Sequence, residues 1–137
     1  MNEPTPPLTA EENILRAAYA ALNRGDVAGF VRGFDPQVER VELFSGECYH
    51  GLAAVTEHVA RGRGTWAEGE CHPQRFLVAG DRVGVLVDVR VRLKNEKDWR
   101  TGRLADVFTF RDGRIIEFRS FGDEREGLEW AGGTAGG

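Results

Sequence analysis

Val83, Val85, Val87, Val89 and Val91 occupy every second position of one unbroken run. Five β-branched residues at period two scatter around a helix of 3.6 residues per turn, but they line a single face of a strand. Gly84, Leu86, Asp88, Arg90 and Arg92 take the opposite face. The run is a long, half-buried strand, and its neighbours have the same character. Residues 75–78 read as a strand that turns at 79–82 into it. Residues 95–98 turn the chain again and 99–111 form the next strand. Asp112-Gly113 is a two-residue hairpin turn, and 115–121 form the last strand.

The first half has helical spacing instead. Thr9 and Glu12 form a capping box, the threonine hydroxyl accepting from the Glu12 N–H. Ile14, Leu15, Ala18 and Leu22 then give one apolar stripe, and Gly25 suits the left-handed C-cap. Asp26 caps a short second helix that buries Val27 and Phe30, with Phe34 a further candidate. Asp35-Pro36 stops the helical pattern, 38–43 alternate as a strand, and 44–50 are loop or short strand. Gly51 opens a third helix with Leu52, Val55 and Val59 inward, closed by Gly62 and Gly64. The Pro-rich residues 1–8 and the Gly-rich residues 132–137 are expected to be disordered tails, leaving one domain over 9–131. Helices followed by a strand meander is an α+β layout, with three N-terminal helices packed on one face of a curved antiparallel sheet. Such a sheet closes into a cone whose apolar interior suits a small molecule.

Composition removes several function classes. A chain of 137 residues suits one domain, and with 41% hydrophobic and 29% charged residues it can bury a core. The net charge of −4 comes from interleaved acids and bases rather than a basic face, which excludes nucleic acid as the expected partner. Cys48 and Cys71 have no metal-ligand spacing and read as reduced thiols of a cytoplasmic protein. The N-terminus lacks the basic and apolar regions of a secretion signal, and no stretch approaches 18 apolar residues, so no membrane partner is expected. His50, His58 and His72 are scattered, which gives no zinc site. No nucleophile elbow, phosphate loop or dinucleotide fingerprint is present, and neither metal nor cofactor is expected.

One residue is out of character. In the strand Leu104-Ala105-Asp106-Val107-Phe108-Thr109-Phe110, Asp106 shares a face with Leu104, Phe108 and Phe110. Aspartate is depleted in strands. If that face is inward, lost hydration disfavours the charged form and raises the pKa, and a protonated Asp106 can donate a hydrogen bond to an oxygen that gains charge. The pattern also allows Ala105, Val107 and Thr109 to be the inward set, or an arginine to pair with Asp106.

This segment, followed by Asp112-Gly113-Arg114-Ile115, resembles the part of ketosteroid isomerases that carries the oxyanion-hole aspartic acid, with Asp106 on that acid. Residues 21–27, and 41–51 with His50-Gly51, resemble the same family's first helix and turn and its first strand and loop. The chain thereby resembles the nuclear transport factor 2-like superfamily, which holds the ketosteroid isomerases and the SnoaL-like polyketide cyclases. The resemblance covers roughly residues 10–125. It implies the cone-shaped fold, a homodimer, and a cofactor-free enzyme that removes a proton next to a carbonyl of a small hydrophobic molecule. A non-catalytic ligand-binding or dimerisation module is the alternative, since fold does not fix function.

Carried residue by residue, the resemblance puts Glu42 on the catalytic base, an aspartate in the family, and Asp106 on the donor to the enolate oxygen, a carboxylic acid kept neutral by an apolar site. His58 on the third helix is a further acid–base candidate, or a hydrogen-bonded helix-face histidine. Phe108, Phe118, Ser120 and Gly122 match pocket-lining positions, though Phe118 also reads as plain core. Strand alternation leaves two orientations open for Glu42, outward or inward beside Arg40. Ala18 stands where the family has its oxyanion-hole tyrosine. Tyr19 is adjacent, about 100° around the helix, and reads as a packing residue of the pocket. Limonene epoxide hydrolases share the fold, but Ser120 stands where they have an acid, and Asp88 and Arg90 fall on the face opposite the valines.

Overall fold

The computed structural model describes residues 9–42 and 45–131. Thr9 caps α1 (Ala10–Asn23), its hydroxyl accepting from the Glu12 N–H at 3.1 Å. The stripe Leu15, Ala18, Tyr19 and Ala21 is buried. Gly25 adopts φ +83°, which lets the Gly25 and Asp26 N–H groups reach back to the Leu22 and Ala21 carbonyls. Asp26 then caps α2 (Val27–Phe30) by accepting from the Gly29 N–H. Next come β1 (Phe34–Val41), β2 (Cys48–His50), α3 (Leu52–Gly64), β3 (Trp66–Ala79), β4 (Arg82–Leu93), β5 (Arg100–Arg111), β6 (Arg114–Phe121) and α4 (Glu124–Trp130).

The six strands form one sheet in the order β2-β1-β6-β5-β4-β3. The expected meander is present from β3 to β6, with Asp112 and Gly113 both at positive φ in the last hairpin, as a tight primed turn requires. The sheet is α+β and strongly curved, but it is not wholly antiparallel. β1 lies parallel to β6, because the chain leaves β1 through β2 and α3 and returns to its edge only after the whole meander. β1 also starts earlier than its alternation suggested and runs through Asp35-Pro36. The ladder with β6 breaks between Phe34 and Glu39, so the missing Pro36 N–H costs no sheet bond there. Of the strand expected over 38–43, Leu43 lies outside the described residues, as does Phe44. β3 extends far upstream of residue 75. Pro73 is tolerated because β3 is an edge strand whose register shifts at that point.

The inner face of the sheet carries Val83, Val85, Val87 and Val91 from β4, Asp106 and Phe108 from β5, and Phe118 and Ser120 from β6, all buried. α1, α2 and α3 close over it. Each buried valine contributes about 1.5–3 kcal/mol. The end of α1 is clipped to β3 by Asn23, which accepts from the Cys71 N–H at 2.8 Å and donates to its carbonyl at 2.9 Å. Arg63 of α3 donates to the Leu22 and Asn23 carbonyls at 2.7 and 3.0 Å, satisfying the open end of the same helix.

α4 was not expected from the apolar pattern. It packs on the outer face of β5 and its neighbours, and so residues 105–110 are buried on both sides. Asp123 caps it by accepting from the Glu126 N–H, and Trp130 is sandwiched by the Arg82 and Arg119 guanidinium groups at 3.9 and 4.5 Å from its ring centre. Gly127 makes the close approach possible, since a Cβ there would lie 2.5 Å from the Ala105 Cβ. Gly127→Ala is expected to lower the unfolding free energy by about 1–3 kcal/mol through overpacking. Urea denaturation measures this, and an unchanged midpoint would mean that α4 does not dock.

Candidate active site

Asp106 sits mid-strand on β5, opposite Ser120 of β6 and Val85 of β4, on the inner face. The open question of its orientation is answered by two-sided burial: Ala105 and Val107 face α4, and Asp106 faces the cone. Its carboxyl is fully engaged. Oδ2 accepts from the Tyr19 hydroxyl and Oδ1 from the Ser120 hydroxyl, both at 2.5 Å. Burial raises its pKa, against the opposing pull of the Arg40 charge and the two hydroxyl bonds. Burial, and then the charge of Asp106, push the Tyr19 phenol well above its ordinary value, so it is a protonated donor at neutral pH.

Tyr19 is therefore more than a packing residue. The apolar stripe of a core-facing helix spans about 100° or more, wide enough to hold both Ala18 and Tyr19. The tyrosine ring drops between Phe30 and Phe108, edge-on to each at 6.2 Å, and its hydroxyl reaches the carboxyl below.

Arg40 completes the cluster. β1 runs parallel to β6 with Arg40 opposite Phe118, so alternation turns Val38 and Arg40 inward. The Arg40 guanidinium lies 3.9 Å over the Phe118 ring, which stacks at 4.6 Å on Phe108. Its Nη1 donates to the Val41 carbonyl at 2.7 Å and the Phe118 carbonyl at 3.4 Å. Nε has no partner. Burial lowers its pKa, and the charges of Asp106 and Glu42 oppose that.

Between the helices and the sheet lies a cleft of about 210 Å³. Its walls include Leu22, Phe30, Arg40, His58, Trp66 and Phe118. His58 stacks on Tyr49 with ring centres 4.1 Å apart. Its pKa is lowered by burial and by Arg40, with Glu42 pulling the other way. Glu42 follows β1 in line with Arg40. Its carboxylate accepts from the Ser45 N–H and hydroxyl at 2.9 and 2.7 Å, holding the turn at the rim, and it does not line this cleft. Gly122 is exposed at the bend between β6 and α4, because β6 ends at Phe121; it lines no part of the cleft. Phe118 lines the cleft and stacks on Phe108, which is fully buried behind it and does not line it, and Ser120 holds Asp106. Among the described residues no group of three or more acidic, His or Cys side chains could hold a metal ion. Cys48 and Cys71 are free thiols, and burial pushes Cys71 up to about 12, so it stays a thiol. Asp88 faces outward, paired with Arg103 at 2.9 Å, as its alternation required.

Arg40 is the site residue that the sequence did not single out. Its only signal was the i, i+2 relation to Glu42 and Val38, which becomes readable once the inward face of β1 is known.

A curled mixed sheet with helices across its mouth is the nuclear transport factor 2-like fold. Residues 15–118 match the SnoaL-like domain, and the chain belongs to that family. Solved structures of similar fold include a nuclear transport factor 2-like protein of unknown function from Burkholderia pseudomallei K96243, 24% identical with a TM-score of 0.75 over 89% of this chain and 97% of that one. TerC, co-crystallised with polyporic acid, is 24% identical with a TM-score of 0.72 over 88% and 99%. A candidate SnoaL-like polyketide cyclase from Jannaschia sp. CCS1 is 15% identical with a TM-score of 0.74 over 88% and 90%. No curated protein sequence matches the chain. Among the described residues no helix is long and apolar enough to cross a membrane.

Two stability measurements follow from the cluster. Tyr19→Phe or Ser120→Ala leaves one carboxyl oxygen of Asp106 without its donor, and either is expected to cost about 1–3 kcal/mol in urea denaturation. The pKa of Asp106 is higher folded than unfolded, so the folded state holds the proton longer. Its contribution is thus most favourable at low pH and is lost as pH rises from the ordinary carboxylate range of the unfolded chain through the raised folded value. Asp106→Asn is expected to flatten that decline. A wild-type and variant pair with parallel pH–stability curves would sink the assignment.

Proposed function

We propose that the chain is a cofactor-free isomerase- or cyclase-type enzyme that moves a proton next to a carbonyl of a small hydrophobic molecule bound in the cleft. The observation that carries this reading is the meeting of a neutral-leaning histidine and a buried guanidinium on the walls of one apolar cleft. His58 lines it, and its lowered pKa leaves the imidazole unprotonated near neutrality, as a general base requires. Arg40 is the group that meets the oxygen as it gains charge. A preorganised cation in a water-poor site stabilises an enolate far more than the same charge in water.

Asp106 takes a different role from the one implied by the family resemblance. Both of its oxygens are occupied by Tyr19 and Ser120, so it acts on the site through Arg40. It sets that group's charge environment and holds α1 to the sheet. Glu42, whose carboxylate is pinned by Ser45, supports the basicity of His58 from the rim. The likeness to a candidate polyketide cyclase and to a protein crystallised with polyporic acid agrees with a substrate of this kind.

The filled interior favours a second reading. Phe108, Phe118 and Tyr19 leave no opening beside Asp106, which suits a non-catalytic ligand-binding module. The two readings part on exchange chemistry. Enolisable ketones incubated in D₂O are expected to exchange their α-protons, followed by proton NMR, with His58→Gln about 10²–10⁴-fold slower. Exchange no faster than buffer, with Asp106→Asn altering only stability, would favour the binding module. A homodimer through the outer face, where Arg90 lies 4.1 Å over the Trp99 ring and Asp88 pairs with Arg103, belongs to the same proposal. Sedimentation velocity should then show two protomers, and a monomer at micromolar concentration would exclude it.

A further inference from the structure

Arg40 is a buried cation in need of an anion. It is 9% exposed and makes no ion pair within 4.0 Å among the described residues. The carboxylates that act on it are engaged elsewhere: Asp106 accepts from two hydroxyls, and Glu42 accepts from Ser45. Nη1 is spent on two backbone carbonyls and Nε has no acceptor. A buried charge without a close partner is costly, and that cost falls when an anion arrives. The guanidinium lines the cleft, whose apolar walls include Leu22, Val59 and the uncovered parts of Phe30 and Trp66. His58, stacked on Tyr49, adds a polar edge without a second full charge. The second nearby arginine, Arg63, is tied to the end of α1 and to the Trp66 ring at 4.6 Å. The volume of about 210 Å³ falls below the roughly 300–1,000 Å³ of sites for drug-sized ligands, which limits the occupant to one or two fused rings.

We infer that the cleft binds a small aromatic acid, its rings against the apolar side chains that line the cleft, Leu22 and Val59 among them, and its oxyanion, a carboxylate or an ionised enol, on the Arg40 guanidinium. The inference rests on the acid–base reading only for the identity of that oxygen as the reacting one; binding stands apart from turnover. Charge-assisted hydrogen bonds to a guanidinium are about twice as strong as neutral ones, and the ligand's rings bury apolar surface that a simple anion lacks.

Calorimetric titration of the full chain with 2-naphthoate, its neutral amide 2-naphthamide, and acetate tests this. The naphthoate is expected to bind about 10-fold or more tightly than the amide, with acetate far weaker than either. The Arg40 Nε–Hε resonance should move on adding naphthoate. Arg40→Gln should weaken naphthoate far more than the amide, bringing the naphthoate-to-amide ratio to about one. If Arg40→Gln does not fold, the wild-type ratio and the Arg40 resonance decide. Equal affinity for naphthoate and amide, an unmoved Arg40 resonance, or no binding of either overturns the inference. Charge-selective binding without α-proton exchange would sink the enzymatic reading alone, and exchange of neutral ketones without charge preference would sink this one alone.

Discussion

The structure depends on how a carboxyl group is kept in the middle of a hydrophobic sheet. An unpaired carboxylate at Asp106 would cost several kcal/mol. Three elements bring groups to it: the Tyr19 hydroxyl from α1, the Ser120 hydroxyl from β6, and the Arg40 charge from β1. Each is distant in sequence, so the cluster exists only when helix, central strands and the parallel strand β1 are all in place. Such a network couples the parts of a fold, because removing one member leaves the others unsatisfied.

The network also sets the character of the cleft. Hydroxyls rather than the guanidinium take up the Asp106 oxygens. Arg40 is left to lie over Phe118 with an unused donor. Had the two paired directly, the cleft would have a neutral, closed floor. Instead an aromatic surface carries a cation at its edge, and that cation together with burial depresses the His58 pKa. The same few charges thus link the stability of the core to the chemistry available at its mouth.

β5 shows why strand orientation could not be settled from one segment. Residues 105–110 are buried throughout, so alternation between apolar and polar carries little information. Ala105 and Val107 lie on the face packed against α4, a seven-residue helix, Glu124-Arg125-Glu126-Gly127-Leu128-Glu129-Trp130, too short and too polar for its few apolar residues to form a repeating stripe. Its Asp123 cap was visible as a residue type, but its docking rests on Gly127 fitting against Ala105 and on Trp130 between two arginines.

The sequence by itself determined the types of the elements that rest on local physics: period two in the valines of β4, helical spacing and a capping box in α1, and paired positive-φ residues in the Asp112-Gly113 hairpin. It also determined that Asp106 was anomalous in a strand, and a family resemblance supplied the cone. Tertiary structure alone decided what surrounds Asp106. Whether Tyr19 or Ala18 meets the carboxyl depends on how α1 is rolled on the sheet. Whether Arg40 and Glu42 enter the site depends on β1 lying parallel to β6, with a register break that no local pattern encodes. Those choices follow from contacts among residues far apart in the chain, made to bury apolar surface while leaving as few polar groups as possible without a partner.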